Sequence, residues 1–278
     1  MFKQIDKISL VFVGINLIYI LFGWTRISKP EIHFPAYSAI GIGIFILVKT
    51  KEKSKFLTFL HNFYPVFLFG YFFESTSAFN QVIFTDYIDP FFQKIDAAIF
   101  GYQPALVWGK KYNNYFINEL FCFAYFSYYL MIIGIPIWLY IKKRQYIYKF
   151  VFIISFVFYI CYLTYNVLPV IGGRYFAEAK QITELYRYGL FTRIMAFIYN
   201  SSHHLGGAFP SSHVAIALVI SILTFKITQK LGYILFIITF FLTISTIYCH
   251  YHYFIDTVFG LIYGVAFYYL GSWLYRKL

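Results

Sequence analysis

Long apolar runs broken by short polar segments dominate the chain. Eight stretches read as membrane-spanning helices: residues 8–24, 34–49, 56–74, 116–141, 147–168, 212–226, 231–249 and 254–274. Several fall a little short of the ~20 residues that a straight crossing needs. The second is diluted by Gly41 and Gly43 and opened by Pro35. Between the third and fourth runs, Phe91 to Gly101 shows helical periodicity. It predicts a helix lying in the headgroup plane, ended by Gly101 and Pro104. The seventh and eighth runs leave room only for a tight bend at 250–253.

Composition agrees with this pattern. Of 278 residues, 60% are hydrophobic and 12% charged, against about 25% charged in soluble domains. One polytopic, all-α membrane bundle follows. The formal charge of +12 would suggest nucleic acid in a soluble chain, but here the charges sit between spans and set topology. With eight spans both termini share a face, which carries 14 of the 23 Lys and Arg and only Asp6 and Glu52 of the 11 acids. The positive-inside rule makes that face cytoplasmic. No small-residue cleavage site follows the first run, so it reads as an uncleaved span. Cys122, Cys161 and Cys249 match no disulfide or zinc spacing and read as packed apolar residues.

Chemistry concentrates on the other face. Residues 206–213 read Gly-Gly-Ala-Phe-Pro-Ser-Ser-His, at the mouth of the sixth run. A capped helix start explains Ser211 and Ser212 alone. His213 adds an imidazole in the first turn, where free N–H groups and the helix dipole favour an anion. Gly206 and Gly207 allow close backbone approach to a ligand. His252 and Asp256 are four apart, which on a helix puts them on one face. A carboxylate beside an imidazole fixes its tautomer and raises its basicity, as a nucleophilic nitrogen needs, although a structural pair has the same spacing. Arg174, after Pro169, Gly172 and Gly173, has a fork suited to phosphate, or snorkels at the interface. Together these residues supply a nucleophile, a general acid and donors for a phosphoryl group without a metal.

The motifs resemble those of the type-2 phosphatidic acid phosphatase superfamily, KxxxxxxRP, PSGH and SRxxxxxHxxxD. Pro210-Ser211-Ser212-His213 stands for the second, and Ser245-Thr246 with His252 and Asp256 for the third. Thr246 occupies the arginine position, Val167 the first-motif lysine position, and Tyr175 the position of the first-motif proline. His-Tyr-Phe-Ile-Asp at 252–256, the Ala-Phe-Pro-Ser-x-His-Val-Ala run, and Ile95-Asp96 with Phe100-Gly101 and Pro104 look like the inositol phosphorylceramide synthase-like branch. The resemblance implies a six-helix catalytic core over 56–278, with 1–55 as an added two-helix hairpin. It implies that His252 forms a phosphohistidine, Asp256 orients it, His213 moves the proton, and Arg174, Ser211 and Ser212 hold phosphate, with no cofactor. His250, Arg187, Arg193, His203 and His204 are candidates to replace the missing cations. Glu74 and Glu119 line the pocket or sit at the membrane interface, and Tyr165 and Asn166 bind an acceptor hydroxyl or satisfy a helix end.

The implied partner is a membrane lipid, with water, a lipid or a small polyol as phosphoryl acceptor. A phosphatase and a headgroup transferase are both open. A transporter would need charges inside several spans, which the apolar centres lack. A lipid-binding protein without activity would have no use for both histidines and the aspartate.

Overall fold

The computed structural model describes residues 2–179, 189–201 and 204–278. The eight expected runs all form helices: α1 (Gln4–Phe22), α2 (Pro30–Thr50), α3 (Lys55–Phe79), α6 (Tyr115–Lys142), α7 (Ile147–Val167), α9 (Ser212–Ile227), α10 (Gln229–Tyr248) and α11 (Phe254–Lys277). Seven are long and apolar enough to cross a membrane. The exception is α9, with 16 residues, about 24 Å of rise against a ~30 Å hydrocarbon core. It is flanked by α6, α7, α10 and α11, so its backbone ends meet protein instead of lipid. The chain is therefore an all-α integral membrane protein.

Among the described residues, the connecting segments hold the helices α4 (Asp89–Phe100), α5 (Pro104–Lys111) and α8 (Leu190–Ser201). α4 is the amphipathic helix that the periodicity predicts, and Gly101 ends it in a left-handed conformation (φ 74°). Pro104 does not merely stop it, but opens α5, where a missing N–H costs nothing.

α7 is the axial element. The α1–α2 hairpin docks on it and on α3 through polar pairs: Ser9 Oγ to Tyr159 Oη at 2.9 Å, Asn166 Nδ2 to Asn16 Oδ1 at 3.1 Å, and Tyr37 Oη to Ser75 Oγ at 2.7 Å. Phe12 stacks on Tyr159 beside them. Between apolar helices with no hydrophobic drive to associate, such bonds give register. Asn166 is thus a strut between α7 and α1.

Small residues set the contact that matters for chemistry. A Cβ on Gly260 of α11 would lie 2.7 Å from the Ser211 carbonyl oxygen, and one on Gly264 would lie 3.0 Å from that of Ala215. The two helices touch backbone to backbone at this end, and Ser211 N donates to the Asp256 carbonyl at 3.0 Å. The starts of α9 and α11, where the two histidine motifs lie, are therefore drawn together.

Candidate active site

Four loops meet at this end of the bundle. After α7, Val170 and Gly207 form a lone parallel bridge, with Ala208 N donating to the Val170 carbonyl at 2.8 Å. The 3-10 turn Gly172–Tyr175 follows and carries Arg174. Its glycines lie flat on the bend between α10 and α11: a Cβ on Gly172 would sit 2.2 Å from the Tyr251 oxygen, and one on Gly173 2.8 Å from that of His250. Gly172 also holds φ at +83°, so two independent demands exclude a side chain there.

Two carboxylates on α4, seven residues apart and hence on one face, fix these loops. Asp89 accepts from Ile171 N (3.0 Å), Gly172 N (2.9 Å) and Tyr253 Oη (2.9 Å). Asp96 accepts from Phe254 N (2.8 Å) and Ile255 N (3.2 Å), capping the start of α11. Both are fully buried. Burial raises both above the usual carboxylate range, and the donors pull them part of the way back. Sequence reasoning noted Asp96 only as part of a resemblance and missed Asp89.

His213 and His252 come together. Their ring centroids are 5.9 Å apart, close enough for one phosphorus centre to lie between them. Ser211 caps α9, its Oγ accepting from Val214 N at 3.4 Å. Tyr165 braces the same loop, donating to the Pro210 carbonyl (3.0 Å) and accepting from Ser212 N (3.2 Å). His213 sits against two tyrosines of α6. Tyr125 Oη is 3.0 Å from its Nε2, and the Tyr128 ring is 4.2 Å from the imidazole. The tyrosines were not singled out from sequence, because in a chain with 25% aromatics an i, i+3 tyrosine pair carries no distinguishing signal.

The expected His252–Asp256 geometry needs correction. α11 begins at Phe254, so His252 precedes the helix and the pair does not share a helical face. The Asp256 carboxylate accepts from Tyr253 N at 2.8 Å in a capping box. Its Oδ2 lies 3.6 Å from His252 Nδ1, beyond hydrogen-bond length. Among the described residues, His252 Nδ1, Asp256 Oδ1 and His213 Nδ1 are buried polar atoms without a partner. Orphaned buried groups are costly, and three of them fall on the two histidine motifs. Burial lowers His252 to about 4, opposed by a hydrogen bond to the Ala208 backbone. At neutral pH the ring is uncharged and keeps a lone pair.

Other candidates separate clearly. His250, at φ +63°, donates through Nδ1 to the Ala105 carbonyl, bracing the bend against α5. His204 stacks on Phe73 (3.9 Å) and reaches Thr76 Oγ1 at 2.9 Å. Burial, and then the Arg174 charge, lower it to about 4, which places it in the electrostatic reach of the guanidinium. The close approaches that Gly206 and Gly207 permit are to protein: added Cβ atoms would meet Asn80 Nδ2 at 2.0 Å and His204 Cε1 at 2.4 Å. Arg193 is exposed on α8, while Arg187 and His203 lie outside the described residues. Glu119 is a helix cap, accepting from Phe191 N (3.0 Å) and Thr192 N (2.9 Å) at the start of α8. Glu74 is exposed. Cys122, Cys161 and Cys249 are buried free thiols. Among the described residues no group of three or more His, Cys, Asp or Glu is arranged to hold a metal.

The departures from the motifs have local reasons. Thr246 is fully buried, bonds the Thr243 carbonyl, and offers its own carbonyl to Tyr251 N and His252 N, both at 3.0 Å. It shapes the bend and leaves no room for an arginine. Val167 faces outward at the end of α7.

The chain matches the PAP2 superfamily over residues 92–270. The match includes every motif residue but neither the α1–α2 hairpin nor α3. A PA-phosphatase related-family protein of Dictyostelium discoideum is 37% identical over 65 residues, which is 21% of this chain and 12% of that protein. No solved structure matches. With the match spanning more than half of its length and the histidine motifs meeting at one end of the bundle, the chain belongs to the PAP2 superfamily.

Proposed function

We propose that this protein is a membrane enzyme that cleaves a lipid phosphate or phosphodiester through a phosphohistidine on His252. The supporting observation is the 5.9 Å approach of the His213 and His252 rings, from two separate helices, beside orphaned buried polar atoms. A ring nitrogen of His252 attacks phosphorus. The ester P–O bond breaks as the N–P bond forms, and His213 gives its proton to the departing alkoxide. An acceptor hydroxyl then attacks phosphorus, returns its proton to His213 and releases His252. Asp256 stabilises the positively charged ring, moving in from 3.6 Å; catalytic hydrogen bonds commonly tighten only with substrate bound. Arg174, the Ser211 hydroxyl and backbone amides near Ser212 bind the equatorial oxygens.

The acceptor is a lipid hydroxyl, so the reaction is headgroup transfer of the inositol phosphorylceramide synthase type. Tyrosines 125, 128 and 165 surround the site with rings and hydroxyls suited to an organic acceptor, and the branch-like motif around His252 supports this choice. The catalytic unit is residues 56–278, the hairpin 1–55 being an addition. The site opens on the side opposite the termini, with the basic termini cytoplasmic.

Purified protein in chelator, given labelled lipid phosphates and phosphodiesters with and without ceramide or another lipid alcohol, should yield acceptor-dependent exchange. Inorganic phosphate as the sole product would replace transfer by hydrolysis, and turnover restored only by divalent metal would refute the mechanism. For topology, a cysteine at the exposed position Ser201 should react with an impermeant reagent from outside intact cells; labelling only after permeabilisation would invert the orientation.

A further inference from the structure

His213 has two ring nitrogens, and the structure engages them unequally. Nε2 lies 3.0 Å from the Tyr125 hydroxyl. Nδ1 is buried and, among the described residues, has no hydrogen-bond partner. The ring itself is seated. Tyr128 packs on it at 4.2 Å between centroids, and Tyr125 at 4.9 Å. Residues 125 and 128 are three apart on α6 and so share one face. The helix therefore holds both the plane of the imidazole and one of its nitrogens.

Tyr125 is in turn fixed by more than this bond. It is 3% exposed, in an apolar cluster with Cys122 one turn before it, Met195 of α8, Tyr248 at the end of α10 and Cys249. Its ring stacks on Tyr251, with 4.4 Å between centroids and 23° between planes. Tyr251 immediately precedes His252, and both donate their backbone N–H to the Thr246 carbonyl at 3.0 Å. One side chain of α6 thus reaches His213 through its hydroxyl and the bend that carries His252 through its ring. No motif residue lies on α6.

A hydroxyl suits a group that must change charge. It accepts from Nε2–H when the imidazole is cationic, and it accepts or donates when the ring is neutral. A carboxylate in its place would favour the cationic form. With Nε2 occupied by the protein, Nδ1 is the nitrogen left to exchange a proton with a ligand.

We propose that Tyr125 is a positioning residue for proton transfer: it holds Nε2 of His213, and Nδ1 gives the proton to the departing alkoxide and takes one from the acceptor. The inference rests on the phosphohistidine reading above and adds to it the working atom and the residue that orients it. In the first step the Nδ1–H bond of the imidazolium breaks as the alkoxide gains its proton. A neutral ring remains, with Nε2–H on the Tyr125 oxygen. In the second step the acceptor hydroxyl gives its proton to Nδ1 while its oxygen bonds to phosphorus, and the imidazolium is restored. The stack on Tyr251 keeps His213 in register with the bend that carries the nucleophile.

The test uses the full chain in detergent and two classes of ester. Phosphatidic acid and phosphatidylglycerol release an alkoxide that needs a proton. Nitrophenyl phosphate and nitrophenyl glycerophosphate carry the same phosphoryl groups but release a phenolate that leaves without one. Tyr125→Phe keeps the ring and its stack and removes only the hydroxyl. It should lower kcat on the lipid esters about tenfold, with KM within about twofold, and change the nitrophenyl esters less than about twofold. His213→Gln should show the same selectivity with a larger loss. Resting protein with isotope-labelled histidine ring nitrogens gives a readout independent of turnover. The His213 Nε2 resonance, identified by its loss in His213→Gln, should shift in Tyr125→Phe while those of His252 stay in place. An unmoved His213 resonance, or a Tyr125→Phe loss that is the same on both ester classes while His213→Gln remains selective, overturns this proposal alone. A His213→Gln loss that is itself the same on both classes refutes the proton-transfer reading and takes the proposal with it.

Discussion

Asp89 is the most connected group near the site, and its removal gives a graded prediction. One buried carboxylate holds two backbone amides of the Arg174 loop and the hydroxyl of Tyr253, at 2.9–3.0 Å. Hydrogen bonds to a charged acceptor contribute about 1.5–3 kcal/mol each. Asp89→Ala loses three and leaves their donors buried, but it also removes the desolvation cost of the carboxylate. The net loss expected is about 3–5 kcal/mol, as for other broken buried ionic networks. Asp89→Asn keeps an acceptor oxygen for at most two donors and turns an NH₂ toward the third, for about 1–3 kcal/mol. Tyr253→Phe removes one bond, for about 1–2 kcal/mol. At ~2–4 °C per kcal/mol for a chain of this size, melting should fall by about 10 °C for Asp89→Ala, less for Asn and least for Tyr253→Phe. Turnover should fall in the same order, and by about a hundredfold for Asp89→Ala, because a shift of about 1 Å in a positioning loop has that effect. Melting followed by intrinsic fluorescence in detergent, with turnover measured well below each midpoint, gives both series. If Asp89→Ala melts within 2 °C of the parent and turns over within twofold, the clamp does not position the Arg174 loop.

Gly172→Ala should cost about 2–4 kcal/mol, from the left-handed φ and the 2.2 Å approach to the Tyr251 oxygen, whereas Gly14→Ala, with open space around it, should be neutral or slightly stabilising; equal melting points would contradict the close packing of loop on bend. Tyr125→Phe should leave melting within about 1 kcal/mol of the parent but lower kcat about tenfold and shift its pH profile, since the His213 Nε2 bond is lost; an unchanged profile would make Tyr125 a packing residue. Acid should destabilise the fold. His204, His250 and His252 sit near 4 in the folded state against about 6.5 unfolded, so the unfolded chain takes up protons first. Stability is then full above pH 6.5 and falls toward pH 4, by about 2 kcal/mol per histidine at pH 5; a melting point flat from pH 7.5 to 5 would refute it.

The bundle was legible because spans are long and lipid forbids unpaired backbone, so apolar length alone located all eight helices. The amphipathic α4 followed from its periodicity. α5 and α8 did not, being short helices of mixed composition stabilised by contacts that local pattern does not encode, such as Glu119 at the start of α8. In the site, His213 and His252 were readable from helix-start chemistry and spacing. Their relation to Asp256 was not, since spacing of four suggests a shared helical face while Tyr253 N takes the carboxylate as a cap. The glycines were recognised as points of close approach, but what approaches Gly206 and Gly207 is Asn80 and His204. Asp89 offered a signal that periodicity contains: two carboxylates seven apart on the inward face of an amphipathic helix must have buried partners. Tyr125 and Tyr128 offered none.

The central claim is that His252 takes the phosphoryl group. Protein incubated with a phosphorus-labelled lipid phosphate and quenched in alkali should carry base-stable, acid-labile label on the peptide containing His252, and His252→Ala should carry none. Label on another residue, or turnover at a normal rate by His252→Ala, would contradict the account.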